Sequence, residues 1–296
     1  MKDHESEAGG IGQPVSQRQV KAAGIHFCVH EAGPPDGPAI ILLHGFPESA
    51  RAWRKLMDPL AQKGFRVIVP DMRGYGASDA PDGIEPYALG TLAADIPALA
   101  DALGIARFVL VGHDWGGIIA WAVAAAYPDR VSRLIILNAP NPGTFGRIAR
   151  RYPLQLLRSF YVGVFQLPRL PERLLSAKNF SRLRNTLIRS ARPLIFSESE
   201  LAAYAEEWSQ PGRLTAMLNY YRALRLPQPR YGPISMPTLI LWGLRDSFLL
   251  PALANESART CRDGRIRWFN DATHWLHHEQ PRQVATEIAA FASGGK

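Results

Sequence analysis

One short stretch admits few folds: Val111-Gly112-His113-Asp114-Trp115-Gly116-Gly117. The apolar run Phe108-Val109-Leu110-Val111 leads in and reads as a buried strand. The apolar run over residues 118–126 leads out and reads as a buried helix. Between them, Gly112-x-Asp114-x-Gly116 is the pattern of a nucleophile elbow with aspartate in place of serine. So sharp a strand-to-helix turn forces its central residue into strained backbone angles, and the neighbours must be small. The turn lifts one side chain to the end of a sheet, beside the free N–H groups of a helix N-terminus. The competing reading is that Asp114 only caps the helix.

The flanking sequence supplies the sheet. Gly24-Ile25-His26-Phe27-Cys28-Val29-His30 alternates like a strand with one wet face. Residues 39–43 form a continuous apolar run, a fully buried strand. Ser49 can cap a helix carrying Trp53, Leu56 and Leu60. A strand over 64–70, a helix over about 87–103 stopped by Gly104, and a strand over 131–137 follow. Strands return at 237–243 and 265–269, and a last helix runs over 281–291. Strands alternating with helices through short loops predict an α/β chain with a mostly parallel sheet. Its ligands sit at the C-terminal strand ends. Residues 141–231 break the pattern: they are Arg-rich and aromatic-rich, with helical spacing and no buried strand. They read as a helical lid between core segments 19–140 and 232–296, with residues 1–18 a polar tail.

Charge and cysteine count narrow the partners. The net charge of +8 lies partly in Arg147, Arg150, Arg151, Arg158, Arg169, Arg173, Arg182, Arg184, Arg189 and Arg192. Such a cluster can serve nucleic acid or an anionic membrane surface, but no nucleic-acid-binding motif accompanies it, so it reads as a solvated helical face, with no nucleic-acid partner. No apolar run approaches the ~20 residues of a membrane span. Cys28 and Cys261 lack metal or redox spacing. The charged first residues lack the apolar region of a secretory signal. A cytoplasmic protein without metal or organic cofactor is the expectation.

Aspartate at the elbow narrows the chemistry. Serine attack on a saturated carbon gives an ether, which water does not readily cleave. A carboxylate gives an ester, which water can open at the carboxylate's own carbonyl carbon. Asp114 therefore suits displacement at a saturated carbon, with an epoxide oxygen or a halide leaving. The second step needs a base. His274 follows the last strand, in Asp271-Ala272-Thr273-His274-Trp275, at the same sheet edge. His277 and His278 are assigned to the final helix or its cap. Asp246 follows the strand over 237–243 and is preferred to Asp271 as the acid that orients His274, from the chain order nucleophile, acid, base. The N–H groups of Trp115 and Phe46 form the oxyanion hole, and Pro47, as a cis bond, can fix the second donor's loop.

These motifs resemble the soluble-type epoxide hydrolases of the α/β-hydrolase fold. His44-Gly45-Phe46-Pro47-Glu48 resembles their oxyanion loop. Asp71-x-Arg73-Gly74-Tyr75-Gly76-x-Ser78 resembles their Gly-rich loop, where Asp71 and Arg73 are expected to be structural. The elbow, Asp246 and His274-Trp275-x-x-His278-Glu279-x-Pro281 complete the match over residues 19–293. The resemblance implies a lid inserted after the sixth core strand. It also implies two lid tyrosines that protonate the epoxide oxygen. Tyr161-x-x-x-Phe165-Gln166 supplies one and Asn219-Tyr220-Tyr221-Arg222 the other, with Tyr221 in register. Phe160 stands where many members carry Trp. His44, Pro47, Phe160 and Trp275 are expected to line the pocket. The implied reaction converts a hydrophobic epoxide and water to a vicinal diol. A haloalkane or haloacid dehalogenase and a non-catalytic ligand-binding protein are the alternatives, and a homodimer is allowed for.

Overall fold

The computed structural model describes residues 15–229 and 232–295. Its strands are β1 (Ser16–Ala22), β2 (Ile25–Ala32), β3 (Ala39–Leu43), β4 (Arg66–Pro70), β5 (Phe108–His113), β6 (Val131–Leu137), β7 (Thr238–Gly243) and β8 (Gly264–Phe269). Its α-helices are α1 (Arg54–Ala61), α2 (Leu89–Ala102), α3 (Trp115–Ala126), α4 (Pro142–Arg151), α5 (Pro153–Arg158), α6 (Phe160–Phe165), α7 (Leu170–Ser190), α8 (Glu198–Ser209), α9 (Arg213–Arg222), α10 (Pro251–Ala258), α11 (Leu276–Glu279) and α12 (Pro281–Ala292).

The strands form one sheet in the order β1-β2-β4-β3-β5-β6-β7-β8. β2 runs antiparallel to β1 and β4, and every other pairing is parallel. β5 and β7 are buried at every position because helices cover both sheet faces. Side-chain alternation splits each strand between two cores. Ile41 and Leu43 pack in the core that holds Leu92, Ile96 and Ile119 of α2 and α3. Ile40 and Leu42 face the other way, with Leu56 and Leu60 of α1 and Val284 and Ile288 of α12. The C-terminal ends of β3, β5, β6 and β7 therefore share one edge, where loops deliver His44, Asp114, Asn138 and Asp246. Among the described residues no helix is long and apolar enough to cross a membrane.

Helices α4 to α9 come between β6 and β7, after the sixth strand. Their inner residues Leu183, Leu187, Tyr204, Met217 and Leu218 belong to the same apolar core as α2 and α3. Ser197 opens α8 with reciprocal capping bonds to Glu200. The α7 segment kinks at 177–180, where Lys178, Asn179 and Phe180 take left-handed angles.

Two expectations change. The polar tail does not extend to residue 18, because β1 starts at Ser16 and pairs with β2 along its length. Only Val20 and Ala22 of β1 are buried, so this edge strand carries little apolar signal. Residues 1–14 of that tail, and 230–231 of the expected lid, lie outside the described residues. The Arg-rich stretch is not uniformly a solvated face. Arg158 donates to the Asp246 carbonyl at 2.8 Å, and Arg182 and Arg189 line the largely apolar cavity described below.

Candidate active site

The elbow is built by steric exclusion. Asp114 sits at φ 50°, ψ −121°, outside the angles a side-chain-bearing residue prefers. A Cβ on Gly116 would lie 2.2 Å from the Leu43 carbonyl oxygen, and one on Gly112 would lie 2.3 Å from that of Gly116. The close approach of β3, β5 and α3 thus requires both glycines. Asp114 makes no side-chain capping bond to α3, which removes the capping alternative. Its Oδ1 instead accepts the Phe46 N–H at 2.8 Å, and its Oδ2 lies 3.6 Å from His274 Nε2. The Phe46–Pro47 bond is cis, as expected.

Behind Asp114, His274 Nδ1 lies 2.7 Å from Asp246 Oδ2. The other Asp246 oxygen accepts the N–H groups of Phe248 and Leu249 at 2.7 and 2.9 Å. Asp271 instead pairs with Arg245 at the surface. Burial disfavours a charge on His274, but Asp246 and Asp114 on either side of the ring outweigh it and raise the imidazole to about 10. Burial likewise opposes the Asp114 carboxylate. His274, then His113 and the Phe46 N–H, hold it below its ordinary value all the same. The site is thus a line of carboxyl, imidazole and carboxyl groups, Asp114, His274 and Asp246.

A cavity of about 640 Å³ lies between this edge and the lid. Asp114, His274, Phe46, Pro47, Tyr161, Tyr221, Phe160 and Trp275 line it, along with Phe165, Leu183 and Phe248. The Tyr161 and Tyr221 rings are 6.0 Å apart, and Tyr221 lies edge-on to Phe46 and Trp115. Burial first, then Asp114 for Tyr161 and Tyr161 followed by Asp114 for Tyr221, raises both phenols well above their ordinary value. Its neighbour Tyr220 points elsewhere and donates to the Arg73 carbonyl at 2.6 Å. Of the two adjacent tyrosines, Tyr221 is the one that lines the cavity.

His44 does not line the cavity. Its Nε2 accepts the Met72 N–H at 3.0 Å and its Nδ1 lies 3.1 Å from the Gly45 carbonyl, so it braces the loop from behind. Asp71 and Arg73 are structural, as expected. Asp71 accepts the N–H groups of Ala50 and Ala77, and Arg73 pairs with Asp95 through two bonds.

Sequence reasoning missed two supports. Asn138, buried at the end of β6 with φ 38°, donates to Asp246 Oδ2 at 2.6 Å and accepts the Gly243 N–H at 2.8 Å. The only available signal was a lone amide closing an apolar strand. The second support is Glu48. His277 and His278 are not on the final helix but on α11, fully buried beside Glu48 at 3.3 and 2.5 Å. His113 lies 3.4 Å from the same carboxylate and donates from Nε2 to the His274 carbonyl at 2.9 Å. Burial opposes the Glu48 charge, but His278 and His277 hold the carboxyl well below its ordinary range. Glu48, His277 and His278 bring ligand atoms within 4.8 Å of one another, as do Cys28, His30 and Asp71. Among the described residues, Glu48 Oε1 bonds to His278 Nε2, while Glu48 Oε2 and both ring nitrogens of His277 have no hydrogen-bond partner.

The sequence matches the α/β hydrolase fold family over residues 38–281. The AB hydrolase superfamily protein YfhM of Bacillus subtilis is 41% identical over 92% of this chain and 96% of its own length. Mouse Epoxide hydrolase 4 is 37% identical over 92% of this chain and 78% of its own. A Bacillus megaterium epoxide hydrolase, crystallised with an inhibitor, superposes with a TM-score of 0.85 at 28% identity, over 93% of this chain and all of the other. An epoxide hydrolase from hot-environment metagenomes does so at 0.85 and 33%, over 95% of this chain and 99% of the other. With fold, site geometry and relatives in agreement, the chain belongs to the α/β-hydrolase-fold family and, within it, to the epoxide hydrolases.

Proposed function

We propose that this epoxide hydrolase opens a hydrophobic epoxide through a covalent ester on Asp114. Support comes above all from one observation: Tyr161 and Tyr221 line the same cavity as Asp114 and His274. The two phenols hydrogen-bond the epoxide oxygen. Asp114 Oδ2 attacks a ring carbon, the carbon–oxygen bond breaks, and a phenol protonates the alkoxide. Oδ1, on the Phe46 N–H, becomes the ester carbonyl oxygen.

Esterification removes one of the two negative charges that hold the His274 proton. The imidazole's affinity for it then falls, and the proton can return to the phenol that gave one up. His274, oriented by Asp246 and neutral at the moment a base is needed, takes a proton from water. The hydroxide attacks Asp114 Cγ, and the N–H groups of Phe46 and Trp115 stabilise the oxyanion. Collapse breaks the ester at its acyl–oxygen bond. The diol leaves with one proton, and carboxylate and imidazolium return.

A single turnover in oxygen-18 water tests this route. The label is expected in the Asp114 carboxylate and not in the first equivalent of diol. Label in that first diol would mean direct attack by water on the epoxide and would overturn the ester mechanism.

A further inference from the structure

Helix α5 is inverted. Its buried residue is polar: Gln155 donates to the Phe248 carbonyl at 2.9 Å and accepts the Leu250 N–H at 2.9 Å. Its apolar residues face out. Leu154, Leu156 and Leu157 are exposed, and Phe160 at the start of α6 continues the face, Leu157 and Phe160 being 70% exposed. Spacings of three and four residues bring these side chains together. Leu167 and Leu170 extend the exposed apolar surface beyond α6. A helix held to the core by its amide, with its leucines in water, leaves an apolar patch without a partner among the described residues.

The charge along this stretch of sequence is of one sign. Residues 141–171 contain five arginines and no aspartate or glutamate. Arg147 pairs with Glu256 and Arg158 bonds to a carbonyl. Arg150, Arg151 and Arg169 are exposed, and among the described residues they have no ion pair. Phe160 belongs both to the patch and to the cavity lining, so the apolar surface runs into the cavity mouth.

We infer that this face of the lid docks on an anionic lipid bilayer, with the α5 leucines and Phe160 in the interface and Arg150, Arg151 and Arg169 against lipid phosphates. A second copy of the chain is a poorer occupant, because a two-fold contact would set arginines against arginines. Docking in this orientation turns the cavity mouth toward the membrane, where apolar molecules partition. The inference concerns binding alone and does not depend on the bond the active site breaks.

The test is cosedimentation of the full chain with phosphatidylcholine vesicles and with mixed phosphatidylcholine–phosphatidylglycerol vesicles. Binding to the mixed vesicles only, weakening with salt, is expected. The double variants Leu156→Ser/Leu157→Ser and Arg150→Gln/Arg151→Gln are each expected to lose about tenfold or more in binding. Both should turn over a water-soluble epoxide at the parent rate. Absence of binding by the parent chain overturns the inference, as does binding that survives both double variants. A dimer in light scattering that Leu156→Ser/Leu157→Ser converts to monomer, without vesicle binding by the parent, would make the patch a self-interface and overturn it too.

Discussion

His274 stands between two carboxylates, and its behaviour follows from that position. In the folded chain its imidazole is raised from 6.5 to about 10. The folded state therefore binds this proton more tightly than the unfolded chain does. The resulting stabilisation is complete below pH 6.5 and is lost as pH rises toward about 10. Asp114 is the other half of the same ion pair, so the stabilisation is counted once. Melting temperature against pH should fall over this window, and less steeply in Asp114→Asn, which lacks one of the two charges. Parallel curves would refute the pairing. Replacing His274 with Gln removes the proposed base but leaves the proposed nucleophile. The ester should then accumulate as a mass adduct on the Asp114 peptide. Tyr161→Phe and Tyr221→Phe should each slow ester formation, by about 10²-fold for loss of a general acid, read by pre-steady-state kinetics. Unchanged rates in both would refute the phenol assignment. At this scale the sequence is legible where chemistry demands a residue type at a chain position: Asp114, Asp246, His274. It is opaque where a residue serves only another side chain. Asn138 acts on Asp246, and Glu48 on His277 and His278, through contacts that span more than a hundred residues.

The elements show the same division. The central strands are legible because burial on both faces demands unbroken apolar runs, as in Ala39-Ile40-Ile41-Leu42-Leu43. β1 is not, because an edge strand hydrogen-bonds on one side and buries only Val20 and Ala22. Within α9, two adjacent tyrosines diverge by about a hundred degrees around the helix. Tyr221 enters the cavity and Tyr220 fastens the lid to the Arg73 carbonyl. The two phenylalanine variants should therefore separate. Tyr220→Phe should cost about 1 kcal/mol of stability and leave the rate of epoxide opening near that of the parent. Tyr221→Phe should slow opening with little loss of stability. Denaturant midpoints measured beside single-turnover rates decide it, and an activity loss in Tyr220→Phe equal to that in Tyr221→Phe would overturn the division of labour.

At the scale of the molecule, the question is whether lid and core are two bodies or one. The chain enters and leaves the lid from the core, and side chains cross between them at several points. Trp208 donates to the Pro47 carbonyl at 2.7 Å, Arg213 to that of Ser78 at 2.6 Å and Asn219 to that of Gly83 at 2.7 Å. Trp275 reaches back from the core to Ser190 at 2.8 Å. Most of the lid's buried side chains join the sheet's own apolar core on the α2–α3 side. An independent lid would bury its apolar residues among themselves. This one would expose Tyr204, Trp208, Met217 and Tyr220 on leaving the sheet, a cost of several kcal/mol at about 25 cal/mol per Å² of apolar surface. Lid and core should therefore unfold together, as one calorimetric transition whose van't Hoff and calorimetric enthalpies agree. Two resolved transitions would show a lid that folds alone. A ligand that fills the cavity touches Phe46 and Asp114 on one side and Tyr161 and Tyr221 on the other, so it should raise that single transition without splitting it.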